Sequence, residues 1–283
     1  MTDSLSWFSR CTVSLQHVLP QHILTRLANR ISQSRSPWLA NTLKRAFCKR
    51  YPVKLEESAQ TLDQFENFNA FFTRALKPGL RPLPEDSGIL VSPCDGTLSQ
   101  LGAIEHGRMI QAKGHTFSAA ELIGNAELAE GFESGHFATI YLAPYDYHRV
   151  HMPYAGQLTH EIRVPGRLFS VSNATSQLIP GLYARNERMV ALFETDRGPM
   201  AVVMVAAMLV AGIETVWASD GPYRPSHSIN TLPFQEPLQL ATGDELGRFH
   251  WGSTVIILTG PEFEDWNSAL SSGQMMRLGR AMT

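Results

Sequence analysis

The sequence predicts an α+β fold: N-terminal amphipathic helices followed by a mainly antiparallel, β-rich body. Two observations carry this. Over the first 50 residues apolar side chains recur at intervals of three and four, the period of a helix with one apolar face. Beyond Ile89 short alternating segments separated by turn residues take over, without the long interleaved helices of a parallel sheet. The boundary falls after residue 76, giving a helical region over 1–76 and a β-rich domain over 77–283.

The first helix carries Trp7, Phe8, Val13, Leu15, Val18 and Leu19 and is interrupted at Pro20, because proline lacks the amide proton and clashes with the preceding turn. Ile23, Leu24, Leu27 and Ile31 continue the pattern, as do Trp38, Leu39, Leu43 and Phe47 after Pro37. Basic residues lie between them, as in a helix resting in a membrane interface. A helical hairpin packed on its own core carries the same pattern; Trp7-Phe8 near the tip favours lipid. Over Thr61–Leu76, Thr61 is the expected N-cap, and Phe65, Phe68, Phe71, Phe72 and Leu76 form a core-facing side. Lys77 to Pro84, with three prolines and a glycine, reads as a linker.

Strands are expected over Gly96–Leu101, His136–Leu142, Gly156–Val164, Met189–Phe193, Met200–Leu209, Ile213–Ala218 and Thr254–Leu258. Within the body only Ser118–Ile123 reads as a short helix. Ser219–Pro237, rich in Pro, Ser and Asn, is expected to be an exposed, mobile loop.

The net charge of −2 conceals an asymmetry. Residues 1–55 hold nine Lys or Arg against Asp3, a balance of +8, and the remainder is −10. The front of the molecule therefore meets something anionic, a membrane face or nucleic acid. Nucleic acid is disfavoured, because no basic and aromatic residues interleave on a strand platform. Cys11, Cys48 and Cys94 show no paired spacing, which argues against a disulfide framework, and Cys94 reads as a small buried residue. No secretory signal is read. The longest apolar run, Met200 to Ile213, has 14 residues, short of the roughly 18 needed to cross a bilayer.

The chemistry is sought at Trp251-Gly252-Ser253-Thr254. Gly252 precedes a serine that opens a strand-like run, and glycine tolerates the backbone angles needed to offer its carbonyl to the Ser253 hydroxyl. Attack there is an N-to-O acyl shift, and β-elimination of the resulting ester cuts the chain. Nucleophile and carbonyl in one chain gain an effective concentration of up to about 10⁵–10⁸ M. Serine still needs a base. His151, in Tyr147-His148-Arg-Val-His151, is the candidate, with Asp95 of Ser-Pro-Cys-Asp-Gly as its orienting carboxylate. Taken alone such a trio is common. A zinc hydrolase using His148, His151 and Asp95 is the alternative reading; a lipoyl-like carrier needs an exposed lysine at a hairpin tip, and none stands out in this sequence.

Wider context separates these readings. Ser92-Pro-Cys-Asp-Gly-Thr97, Gln111-Ala-Lys-Gly-His115, Tyr141 through Pro153, Pro165-Gly-Arg-Leu-Phe-Ser-Val171, Ala184-Arg-Asn-Glu-Arg188, Gly212-Ile-Glu-Thr-Val-Trp217 and Gly252-Ser253-Thr254 stand in order along the chain. Together they resemble the phosphatidylserine decarboxylases of proteobacterial type, from the N-terminal helices to about residue 260. The resemblance implies that Asp95, His151 and Ser253 drive self-cleavage between Gly252 and Ser253. A large β chain (1–252) and a small α chain (253–283) would result and stay together as a heterodimer, with further pairing left open. Ser253 would become a pyruvoyl group, the covalent cofactor, which forms a Schiff base with phosphatidylserine and releases CO₂ to give phosphatidylethanolamine. His148 would serve the substrate and its proton transfer. No metal and no nucleic acid are implied. The expected partner is an anionic phospholipid membrane, and the expected location is peripheral, on the cytoplasmic side of the inner membrane. Trp251 departs from the smaller apolar residue usual there, and the tail after Gly260 is assigned no role.

Overall fold

The computed structural model describes residues 7–112, 114–208, 212–218, 227–250 and 253–283. Trp251 and Gly252 lie outside these, as does most of the front half of the expected 219–237 loop.

Helices α1 (Trp7–Leu15), α2 (Gln21–Ser32) and α3 (Pro37–Arg50) form the N-terminal region, divided near Pro20 and Pro37 as proline chemistry requires. Their amphipathicity is turned outward. Trp7, Leu15, Val18, Ile23, Leu27, Ile31 and Trp38 are exposed, whereas Gln16, Gln21, Thr25 and Ser32 are buried. Two of these polar residues dock the helices on the body: Gln21 Oε1 accepts from the Leu168 amide and Gln16 Oε1 from the Ser170 amide, both at 2.8 Å. Lys44 is also buried. Its ammonium donates to the Leu62 and Phe65 carbonyls at 2.9 and 2.6 Å, so this basic residue is a structural tie instead of a solvated charge.

The expected helix over 61–76 is two shorter pieces. A 3₁₀ turn at Leu62–Gln64 carries a capping box on Thr61, and α4 (Phe68–Phe72) is capped by Asn67, whose side chain accepts from the Ala70 amide at 2.8 Å. A second local cap within the same stretch offers the backbone a new start, and a continuous helix is lost. The rings nevertheless pack as a unit: Phe47, Phe65, Phe68, Phe71 and Phe72 form a small apolar cluster. Each contributes roughly 1.5–3 kcal/mol of burial.

The body is built on an eight-stranded antiparallel sheet. Its strands are β1 (Gly96–Ala103), β4 (His136–Leu142), β6 (Gly156–Val164), β7 (Arg188–Thr195), β8 (Gly198–Val205), β10 (Asn230–Leu240), β12 (Ser253–Thr259) and β13 (Met275–Met276), in the order β10-β6-β7-β8-β12-β4-β1-β13. A three-stranded sheet joins β5 (Arg149–His151), β11 (Glu245–Phe249) and β9 (Ile213–Thr215) in the order β5-β11-β9, and β2 (Arg108–Ala112) with β3 (His115–Ser118) form a hairpin. Short helices α5 (Ala119–Ile123), α6 (Ala126–Ala129), α7 (Asn173–Leu178) and α8 (Leu182–Arg185) fill the connections, so the expectation of one body helix is too low. Three of the four are capped by side chains of Ser118, Asn125 and Ser172; Ser118 opens the helix expected from the sequence, whereas Asn125 and Ser172 lie outside any expected helix.

One further correction concerns 219–237. Its described C-terminal part is not loop: residues 230–237 belong to β10, an edge strand whose register shifts between Pro233 and Leu238. An edge position with a bulge is where a strand tolerates proline, which masked the strand signal.

Candidate active site

Ser253 is the first residue of β12, which lies between β4 and β8 in the middle of the large sheet. It pairs with Leu142, and Thr254 pairs with Tyr141 on one side and Val205 on the other. Ser253 is fully buried, and its hydroxyl has no hydrogen-bond partner among the described residues. A buried polar group left unpaired costs about 1–3 kcal/mol, so its presence calls for a functional account.

His148 precedes β5 and is fully buried. Its Nε2–H donates to the Pro144 carbonyl at 3.3 Å, two residues beyond the register partner of Ser253. The His148 carbonyl accepts from the Phe249 amide at 3.0 Å, tying it to the strand that leads towards Ser253. Phe72 stacks on the imidazole, with ring centroids 4.1 Å apart. Burial, assisted by the nearby Arg74 charge, lowers its pKa to about 3, so the ring is neutral and Nδ1 keeps an unpartnered lone pair.

His151 closes β5. Its Nδ1–H donates to the Gly243 carbonyl at 2.8 Å, which leaves Nε2 to accept from the Tyr147 hydroxyl at 3.0 Å. Burial lowers the pKa of His151 and pushes that of Tyr147 up to about 12, so the tyrosine remains a donor. Asp95 is held elsewhere. Arg81 grips its carboxylate through two bonds, of 2.9 and 2.5 Å, and the Leu278 amide donates to it at 2.9 Å. Arg81 also bonds Glu57 at 2.5 Å, and the paired carboxylates raise its pKa.

These contacts leave two groups among the described residues, His151 beside the loop of Asp95 and His148 near the end of β4 that pairs with Ser253, with no hydrogen bond between the groups. The His151 amide donates to the Pro93 carbonyl at 2.8 Å, which brings it beside the loop carrying Asp95. Asp95 and Tyr147 both line a pocket of about 210 Å³ with Arg74, Asp146 and Glu57. No hydrogen bond joins Asp95 to His151 among the described residues, because the bidentate guanidinium is the stronger competitor for the carboxylate. A larger open groove of about 890 Å³, along Leu83–Ile89 and Glu194–Arg197, contains none of the predicted site residues. His148 precedes β5 and His151 ends it, and among the described residues no group of three or more His, Cys, Asp or Glu side chains is placed to hold a metal ion.

Sequence reasoning missed Arg81, Arg74, Asp146 and the bond made by Tyr147. Arg74 is buried and donates to the Tyr145 and Asp146 carbonyls at 3.2 Å. The Asp146 carboxyl accepts from the Ala143 amide at 2.8 Å, and burial nevertheless raises its pKa to about 6. Only the position of Tyr147 and Asp146 inside the quoted His148 segment offered a signal; an arginine in a linker or after a phenylalanine run offers none.

Comparison with known proteins gives a consistent picture. Residues 68–283 match a family model described as phosphatidylserine decarboxylase, and residues 11–52 match a second, described as PSD. The chain is 51% identical over 280 residues to the phosphatidylserine decarboxylase proenzyme of Pseudomonas putida (strain GB-1), with 97% of each chain covered. It is likewise 51% identical over 280 residues to that of Pseudomonas entomophila, and 49% identical over 284 residues to that of Pseudomonas aeruginosa, with 98% of each chain covered in the latter case.

Proposed function

This chain belongs to the phosphatidylserine decarboxylase family and is a carboxy-lyase, and from that premise we propose that it cuts itself between Gly252 and Ser253 and decarboxylates phosphatidylserine at the new chain end. The observation that carries the proposal is the Ser253 hydroxyl: buried, unpartnered among the described residues, and opening a strand held on both sides. That is the setting for a side chain whose partner is the preceding carbonyl. The hydroxyl adds to the Gly252 carbonyl and the amide becomes an ester. Elimination then releases the Gly252 carboxylate, and the dehydroalanine left at residue 253 takes up water and loses ammonia to give the pyruvoyl group.

The chemistry of the candidate residues fits such a group. His151 stays neutral because burial disfavours its charged form, so it retains a basic nitrogen for the serine proton. The Tyr147 hydroxyl holds that nitrogen in the present arrangement, and the Gly243 carbonyl fixes the tautomer. Asp95, clamped by Arg81, contributes its charge beside His151 and not a direct bond. The pyruvoyl carbonyl supplies the sink for the electron pair that CO₂ leaves behind. His148, neutral and dry against Phe72, presents a free Nδ1 for proton transfer at the substrate carbon.

The helices give the reaction its location. No helix among the described residues is long and apolar enough to cross a membrane. The outward apolar row on α1–α3, surrounded by Lys and Arg, fits a peripheral seat on an anionic phospholipid surface, the cytoplasmic face of the inner membrane. The fragments 1–252 and 253–283 would remain one heterodimer, because β12 is paired along its length with β4 and β8.

Intact mass of the denatured protein tests the proposal. Two fragments are expected, the smaller of 31 residues and beginning with a pyruvoyl group. Ser253→Ala is expected to give one uncut, inactive chain. Normal cleavage in Ser253→Ala, or lipid turnover by an uncut wild-type chain, would sink it.

A further inference from the structure

The segment Ala184-Arg-Asn-Glu-Arg188 has no part in the scheme above, yet it delivers a carboxyl to the same row of the sheet as Ser253. Thr254 and Arg188 both pair with Val205, from opposite sides. Glu187 immediately precedes Arg188, and the Ala206 amide extends the ladder by donating to the Glu187 carbonyl at 2.9 Å. The next row therefore runs Leu142, Ser253, Ala206, Glu187. Residues opposite one another across a sheet share a face, so the side chains of Ser253 and Glu187 point the same way, away from Arg188. Two strand spacings put their main chains about 10 Å apart. A glutamate side chain spans part of that gap.

Glu187 is also in an unusual state. It is 5% exposed, and its Oε2 has no hydrogen-bond partner among the described residues. Arg188 does not pair with it: that guanidinium turns to the opposite face and donates to the Glu121, Leu122, Ala184 and Asn186 carbonyls. On the Glu187 side, Glu161 and Arg163 of β6 pair with each other, and Trp217 donates to Glu161. Glu214 and His250 bond each other, and His148 is neutral.

We infer that Glu187 is the group that takes the proton from the substrate's amino nitrogen at the Ser253 site; this rests on the pyruvoyl reading. An alkylammonium is protonated at neutral pH and has no lone pair with which to attack a carbonyl. Transfer of one proton from the ammonium to the ionised carboxylate yields a free amine and a neutral carboxylic acid. The acid returns that proton to the product amine on release, so the amine's own proton balance closes; the proton that replaces CO₂ at carbon is a separate one, drawn from solvent and delivered through His148. Burial alone raises the Glu187 pKa to about 7, which matches a carboxyl that must both accept and return a proton near neutrality.

The test uses the full chain with Glu187→Gln and Glu187→Asp. Both are expected to split into two normal fragments by intact mass, which also reports that they fold. Glu187→Gln is expected to lose about 100-fold in kcat/KM, with Glu187→Asp recovering part of it. Wild-type kcat/KM should fall as pH drops below about 7, and Glu187→Gln should lose that limb. Independently of turnover, the infrared spectrum of the resting wild type should show a carboxylic-acid band titrating near 7 that is missing from Glu187→Gln. An unimpaired Glu187→Gln beside a wild type that splits normally would remove this inference alone, as would a folded but uncut Glu187→Gln. A wild type that never splits would remove the pyruvoyl reading and this inference with it.

Discussion

The imidazole of His148 lies nearly parallel to the ring of Phe72, centroids 4.1 Å apart and planes 16° from each other. This contact joins the aromatic cluster of the N-terminal region to the candidate active site, because Phe72 belongs to α4 and also packs against Phe47 and Phe68. The stack helps to exclude water from one face of the ring, and exclusion of water keeps His148 uncharged.

A pH dependence of stability follows. The unfolded chain protonates this histidine near 6.5, whereas the folded chain resists until about 3. Between those values the unfolded state binds more protons, so stability falls as pH falls through the window. The midpoint of urea unfolding should fall less over that range in His148→Gln than in wild type. The same variant is expected to cut itself and to lose about 100-fold in turnover. A full-rate His148→Gln enzyme would exclude the proton-transfer role.

The Arg81–Asp95 clamp yields a second prediction. Their side chains are 6% and 13% exposed, so the pair is largely desolvated. Lysine cannot reproduce two parallel bonds to Asp95 together with the bond to Glu57. Arg81→Lys is expected to lower unfolding free energy by about 2–4 kcal/mol, read from denaturant midpoints. An unchanged midpoint would show that the clamp contributes nothing to stability.

The helical face yields a third. Ile23 and Ile31 are exposed to 57% and 49%, so aspartate at both positions should change stability by less than about 1 kcal/mol. Affinity for vesicles containing phosphatidylserine is expected to drop at least about tenfold, with self-cleavage unaffected. Sedimentation with vesicles measures the first and gel mobility the second. Vesicle binding equal to wild type would move the membrane contact off this face.

The chain's own sequence determined much of this. Periods of 3.6 and 2 separated helices from strands, prolines marked the breaks at 20 and 37, and ordered segments around Ser92, Tyr141 and Gly212 carried the family. Local patterns are sufficient where neighbours along the chain impose them. They failed at β10, whose prolines are tolerated only because the strand is an edge, and at 61–76, where Asn67 starts a second helix. They also gave the period of the helices but not which way the apolar row faces; that depended on Gln16 and Gln21 finding backbone partners near Phe169.

The site divides along the same line. Asp95, His148, His151 and Ser253 could be proposed as candidates from the short segments that carry them. Their partners could not. Arg81 on Asp95, the Gly243 carbonyl on His151 and Glu187 in the row of Ser253 are set by register and packing between separate segments, whereas the Tyr147 bond to His151 spans only four residues. Hydrogen bonds form between whichever groups the fold brings within reach, and that is decided in three dimensions.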